Sequence, residues 1–271
     1  MFGRLFKSSA SRPAEVPSDR VVWAIGDVHG RADLLAPLLE VVEADARGLP
    51  THLVMLGDYV DRGRDSRGAL QLLCEIEARG RVQLTALRGN HEDRMLAFLT
   101  EPQIGPSWCD YGGRDALASY QVASPAGRGD AEGWTQTARA LGDALPEAHR
   151  RLLGGLSSSV EHGDYFFAHA GARPGIALEA QDPEDLMWIR EPFLSDRRPF
   201  EKMVVHGHTP VDQPHIDARR INLDTGAYAT GVLTALRLER DTRRFVQARA
   251  GGGSVRVSVG PPACALAGAR G

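Results

Sequence analysis

Asp27 and His29 stand one residue apart, directly after the apolar run VVWAI (21–25). The same arrangement returns four times. HLVML (52–56) runs into Gly57, Asp58 and then Asp61–Arg62–Gly63, and VQLTAL (82–87) runs into Arg88–Gly89–Asn90–His91–Glu92. DYFFA (164–168) leads to His169–Ala170–Gly171, and MVV (203–205) to His206–Gly207–His208. The donors on offer are carboxylate, amide oxygen and imidazole, with no thiolate. That set suits Mn²⁺, Fe or Zn²⁺ better than a structural cysteine–zinc site. It also exceeds what one ion needs, so two ions roughly 3.5–4 Å apart, sharing a carboxylate, would use all of it. Asp27 and His29 alternate in a near-extended segment, so both are expected to face one ion.

Such side chains need elements that deliver them to one place. The apolar runs read as short strands, and amphipathic stretches at 31–48, 66–80 and 91–101 read as helices between them. This alternation argues for an α/β layered fold. Open α/β sheets bind ligands beyond the carboxyl ends of their strands, where glycine lets the backbone turn sharply. Residues 157–171 read as a hairpin turning at His162–Gly163–Asp164, and 183–193 as a short helix or loop. MVVHGH (203–208) is a strand, and 221–240 holds two more. Residues 108–155 carry helical pieces and a glycine-rich loop at 125–133 without a convincing strand, and read as a helical cap insert. Residues 1–19 read as a disordered leader, 20–249 as the catalytic domain, and 250–271 as a flexible tail with a short strand at 254–259.

Composition narrows the class. The 271 residues are 42% hydrophobic and 25% charged, with a net charge of -3, so no basic excess points to nucleic acid. No apolar run approaches the ~20 residues that cross a bilayer. Three cysteines without metal or redox spacing fit a reduced, cytoplasmic setting. Cys74 reads as core, Trp108, Gly112, Gly113 and Trp134 as packing of the insert, and His52, His149, His162 and His215 as solvated.

GDVHG (26–30), GDYVDRG (57–63), RGNHE (88–92), HAG (169–171) and HGHTP (206–210) resemble, in order, the signatures of the phosphoprotein phosphatase family of binuclear metallophosphoesterases. WIR (188–190) and LDTGA (223–227) are similar to its bacterial and phage members. The resemblance spans roughly residues 21–240 and is weak in the insert. It implies a layered β-sandwich flanked by helices. It implies that Asp27, His29 and Asp58 hold one metal, and Asp58, Asn90, His169 and His208 the other, Asp58 bridging; Mn²⁺ suits the pair best. Two such ions would lower the pKa of a shared water, so that a hydroxide attacks phosphorus in line. His91 would be the proton donor to the leaving oxygen and Asp61 its partner. Arg62, Arg88 and Arg190 would clamp the phosphoryl oxygens. Glu92 and His206 read as supporting residues.

The activity implied is dephosphorylation of phosphoserine or phosphothreonine in proteins or peptides. The rivals are a dinucleoside tetraphosphate hydrolase of the same superfamily and a broad small-molecule phosphatase. The tetraphosphate hydrolases tend to read GNHD and to lack the aspartate of DRG. Here the residues are GNHE and DRG.

Overall fold

The structure is a computed structural model that describes residues 13–264. It has two mixed sheets flanked by helices. In β1 (Val21–Ile25) every residue is buried. Val21, Trp23 and Ile25 join a core beneath the helices, while Val22 and Ala24 join a second core between the sheets. A strand covered on both faces reads as an unbroken apolar run because neither face meets water. β2 (Thr51–Met55) and β3 (Gln83–Ala86) follow in parallel register with β1. The crossovers are α1 (Ala32–Asp45) and α2 (Ser66–Arg79), and α3 (Asn90–Thr100) follows β3. Asp65 caps α2 by accepting from the Gly68 N–H, and Gly80 ends it in left-handed conformation.

The insert is helical, as expected: α4 (Gly105–Trp108), a π-helical turn at Cys109–Gly113, α5 (Arg114–Ser119), α6 (Ala131–Ala144) and α7 (Glu147–Gly154). Its Trp108, Tyr120 and Trp134 are buried in the core that includes Phe98 of α3. Next come β4 (Ser159–His162) and β5 (Tyr165–Ala168), the expected hairpin. After them lie α8 (Pro183–Trp188), β6 (Met203–His206), β7 (His215–Ile216), β8 (Arg220–Asn222) and α9 (Ala227–Thr230). The chain ends in β9 (Val232–Glu239), β10 (Thr242–Gly251), β11 (Ser254–Val259) and β12 (Ala263–Cys264).

The first sheet runs β11-β10-β9-β1-β2-β3, with β12 on β10, and the second runs β4-β5-β6-β8-β7. Val54 and Leu56 from the first face Tyr165, Phe167, Val205 and Ile221 from the second. The parallel strands of both sheets therefore end toward one seam.

Two expectations about the chain ends differ from the structure. Residues 13–19 belong to the fold: Val16 is buried, its N–H donates to the Arg240 carbonyl at 2.9 Å, and the Asp164 N–H donates to the Glu15 carbonyl at 2.9 Å. Residues 1–12 lie outside the described residues. The short strand expected at 254–259 is present as β11, but the segment around it pairs rather than hangs loose, since β11 is bonded to β10 from Gly251–Ser254 to Val246–Val259 and β12 follows. Residues 265–271 lie outside the described residues. His149 is buried, not solvated, between the Tyr120 hydroxyl at 2.7 Å and Gln71 at 3.2 Å. Cys74 is half-buried against the helical core. No helix among the described residues is long and apolar enough to cross a membrane.

Candidate active site

The loops that leave β1, β2, β3, β5 and β6 converge at the seam, and unusual backbone conformations concentrate there. Among the described residues seven non-glycine residues have positive φ, and five of them are His29, Asp58, Asp61, Arg62 and His208, at 44°, 53°, 70°, 65° and 65°. Each such residue costs roughly 1–2 kcal/mol, so surrounding bonds must hold it. The Val28 and His29 N–H groups both donate to the Asp58 carbonyl, at 3.0 and 2.8 Å. The buried Glu92 carboxylate accepts four backbone N–H bonds, from Asp58, Tyr59, Val60 and Gly89, at 2.7 to 3.1 Å. Glu92 thus fixes the loop after β2 to the start of α3. Gly57 (φ 105°) lets the sheets meet, since a Cβ there would lie 2.7 Å from the Gly89 nitrogen and 2.8 Å from His169 Nδ1.

Asp58 sits at the centre with its two oxygens facing different imidazoles. Oδ2 lies 3.5 Å from His29 Nε2, and Oδ1 lies 3.4 Å from His169 Nε2. Two sets of ligand atoms gather around it, each within 4.8 Å: His29, Asp58 and His91, and Asp58, His169 and His208. The Asn90 amide oxygen joins the second set, 3.0 Å from His169 Nε2 and 2.9 Å from His208 Nδ1. All of these side chains are buried.

Asp27 also has a partner across the seam. The segment is not extended, because His29 turns into left-handed conformation. The Asp27 carboxylate accepts the His208 N–H, at 3.0 and 3.2 Å to its two oxygens, so it ties the loop after β1 to the loop after β6. Beside it lies a further buried acid, Asp224, at the end of β8. In the sequence Asp224 is marked by the LDTGA stretch and not by the strand-end spacing that marks the other acids.

Electrostatics favour a cation. Burial lowers the imidazoles of His29 to about 3 and His208 to about 2, and it lowers His169 as well. They are therefore neutral, the form that binds metal. Burial alone would raise Asp58, but His169, His91, His29 and His208 hold its carboxyl below the usual range. Burial and then Asp224 push Asp27 well above it. Clustered carboxylates and neutral imidazoles fit divalent ions, whose charge relieves the repulsion between the acids. His208 Nε2 is buried without a protein partner. The residues therefore suit a binuclear metal centre.

His91 and Asp61 form a buried pair, with Nδ1 2.7 Å from Asp61 Oδ2. His91 Nε2 faces Asp58 Oδ2 at 3.9 Å. Burial works against protonating His91, but Asp58 and Asp61 outweigh it and raise its pKa. Trp108, read from sequence as packing, also reaches this pair: its indole N–H donates to Asp61 Oδ2 at 2.8 Å. Arg62 lies 3.3 Å from His29 Nε2, with its guanidinium 4.9 Å from the centre of the Tyr228 ring. Arg190 donates to the His208 carbonyl at 3.5 Å. Arg88 turns toward Asp93, at 3.7 Å. His206 stays outside both sets, buried against Phe193 with its Nε2 3.1 Å from Arg220.

Comparison with known proteins agrees with this geometry. Residues 20–237 match the calcineurin-like phosphoesterase family. Serine/threonine-protein phosphatase 1 of Salmonella typhimurium is 31% identical over 230 residues, covering 83% of this chain and 95% of that protein. The asymmetrical bis(5'-nucleosyl)-tetraphosphatase PrpE of Geobacillus thermodenitrificans is 25% identical over 236 residues, 79% of this chain and 88% of that protein. Among solved structures, one described as a putative diadenosine tetraphosphatase superposes with a TM-score of 0.59 at 19% identity, covering 91% of this chain and 98% of the other, a likeness of fold.

Proposed function

The chain belongs to the calcineurin-like phosphoesterase family, and on that premise we propose that this metal-dependent hydrolase is a serine/threonine protein phosphatase using Mn²⁺. The observation that carries the reading is Asp58, whose two oxygens face His29 and His169 on opposite sides. Asp27, His29 and Asp58 would hold one ion, and Asp58, Asn90, His169 and His208 the second. Two ions so placed supply an activated water near neutral pH and neutralise phosphoryl oxygens.

The chain's own residues do the rest. Arg62, Arg88 and Arg190 bind the phosphate, because planar guanidinium groups match its paired oxygens. An alkoxide is a poor leaving group and needs a proton. As imidazolium, His91 would carry that proton on Nε2, the nitrogen that faces Asp58, while Asp61 accepts the Nδ1 hydrogen and stabilises the charge.

Two features support a phosphoprotein over a dinucleoside tetraphosphate, the activity named for PrpE. Adenine rings would want aromatic partners, and three of the insert's four, Trp108, Tyr120 and Trp134, are buried, which leaves Tyr111. In addition, a cavity of about 660 Å³ opens beside Arg190, lined by Asp182, Glu184, Asp185 and Glu191. Its other arginine, Arg173, is bonded to Asp185 at 2.5 Å. This acidic excess suits a basic stretch of a protein substrate and opposes a polyphosphate. The test compares kcat/KM on a phosphothreonine peptide and on diadenosine tetraphosphate with Mn²⁺. The peptide is expected to be preferred. A preference of about tenfold for the dinucleotide would overturn the substrate and leave the metal and acid roles standing.

A further inference from the structure

We propose that Trp108 is a positioning residue for the acid, and that the insert takes part in catalysis through this one indole. The proposal rests on the reading of His91 as proton donor. Asp61 is wholly buried, and its Oδ2 accepts from both His91 Nδ1 and Trp108 Nε1, at 2.7 and 2.8 Å. Oδ1 has no protein partner. The carboxylate that must aim His91 is thus held by His91 itself and by one other side-chain donor, Trp108.

The indole is fixed in turn. Its ring lies 4.9 Å from that of Phe98, and Gly113 packs so tightly on it that a Cβ would enter the ring. The same turn holds the next residue. The Arg62 N–H donates to the Gly112 carbonyl at 3.1 Å. A Cβ on Gly112 (φ 108°) would stand 2.5 Å from the Arg62 nitrogen. Asp61 and Arg62 are consecutive left-handed residues, a conformation that persists only where surroundings over-determine it. A buried indole N–H needs an acceptor, and the one it takes here is the same carboxylate oxygen that holds His91. Without that N–H, the Asp61 carboxylate can rotate, and His91 Nε2–H loses its aim at the leaving oxygen. Phosphate and metal binding do not depend on it.

The experiment replaces Trp108 in the metal-loaded protein by Trp108→Phe, and separately by benzothienylalanine, which keeps the ring outline and lacks only the N–H. On a phosphothreonine peptide, kcat should fall roughly ten- to hundredfold, with KM and metal content held. On p-nitrophenyl phosphate, whose leaving group hardly needs a proton, kcat should fall less than about threefold. In an Asp61→Ala background the Trp108 change should add almost nothing. Equal losses on both substrates, or losses that multiply with Asp61→Ala, overturn the proposal. If Trp108→Phe does not fold, the benzothienylalanine protein decides. His91→Ala on the same substrates separates the two readings. If it loses the two equally, the acid assignment fails; if it discriminates and the Trp108 variants do not, only the present proposal fails.

Discussion

The strand-end loops and the 108–155 insert meet at Asp61–Arg62, and they serve the site by different means. The loops present donor side chains in strained backbone, each beside a glycine and each tied to a neighbouring loop: Val28 and His29 to the Asp58 carbonyl, Asp27 to His208, four amides to Glu92. The insert presents no metal donor. It gives an indole N–H to Asp61 and a backbone carbonyl to Arg62. The first region should therefore govern metal content and the second the aim of proton transfer.

The largest effect should come from the centre of the first region. Asp58→Asn should lose both ions, because each Asp58 oxygen faces a different imidazole set, whereas His29→Ala should lose one. Metal analysis of the two purified variants checks this, and equal loss would remove the bridging role. Next is His91→Ala. It should keep both ions and lose roughly 10²–10⁴-fold in kcat on alkyl phosphates, with a much smaller loss on p-nitrophenyl phosphate. Loss of metal in this variant would instead make His91 a ligand, as its place beside His29 and Asp58 permits, and would blur the division between the regions.

The two regions also differ in how far sequence reveals them. β1 was legible because Val21–Ile25 are buried on both faces, and Asp58, Asn90, His169 and His208 were legible because each follows the end of a short strand. Asp27 was legible, but its bond to the His208 N–H was not, because that contact joins loops 181 positions apart. Trp108 was read as core, and it is core. Its second role depends on a bond to a residue 47 positions away, which neither composition nor periodicity carries. The chain ends failed for another reason. Val16 is a lone apolar residue among polar ones, and its place is set by the Arg240 carbonyl, a tertiary contact. Of the three glycines at 251–253, Gly251 ends β10 and Gly252 and Gly253 make the turn into β11.

A smaller effect tests how the loops are braced. Glu92→Gln leaves one acceptor oxygen for four amides and places an NH₂ against some of them, so it should cost about 3 kcal/mol or more and weaken both ions together. Denaturant unfolding and metal titration measure the two losses; intact metal affinity at reduced stability would mean that Glu92 does not shape the loop after β2. Gly112→Ala probes the insert side. Left-handed strain and contact with Arg62 should cost roughly 1–2 kcal/mol and raise KM while both ions stay, if Arg62 binds phosphate as proposed. A metal loss would show that the insert reaches further into the site than its bonds to Asp61 and Arg62.

The smallest expected effect sharpens the substrate question. Tyr111 is 69% exposed, whereas Trp108, Tyr120 and Trp134 are 2 to 3% exposed. Of the insert's aromatic rings it alone is free to meet a substrate. Its backbone carbonyl lies 3.5 Å from Arg62 Nε, a contact that Tyr111→Ala retains. A phosphopeptide bound through its phosphate and through the acidic cavity by Arg190 should not feel the loss of this ring. Tyr111→Ala is therefore expected to change kcat/KM on a phosphothreonine peptide by less than about twofold, as substitutions at exposed positions do. A dinucleotide is different, because stacking one base on an aromatic ring contributes roughly 1–3 kcal/mol. If the protein were built to cleave diadenosine tetraphosphate, the same substitution would raise KM for that substrate by about fivefold or more. Steady-state kinetics of one variant on two substrates thus separates an insert that only braces Asp61 and Arg62 from one that also reads a nucleobase.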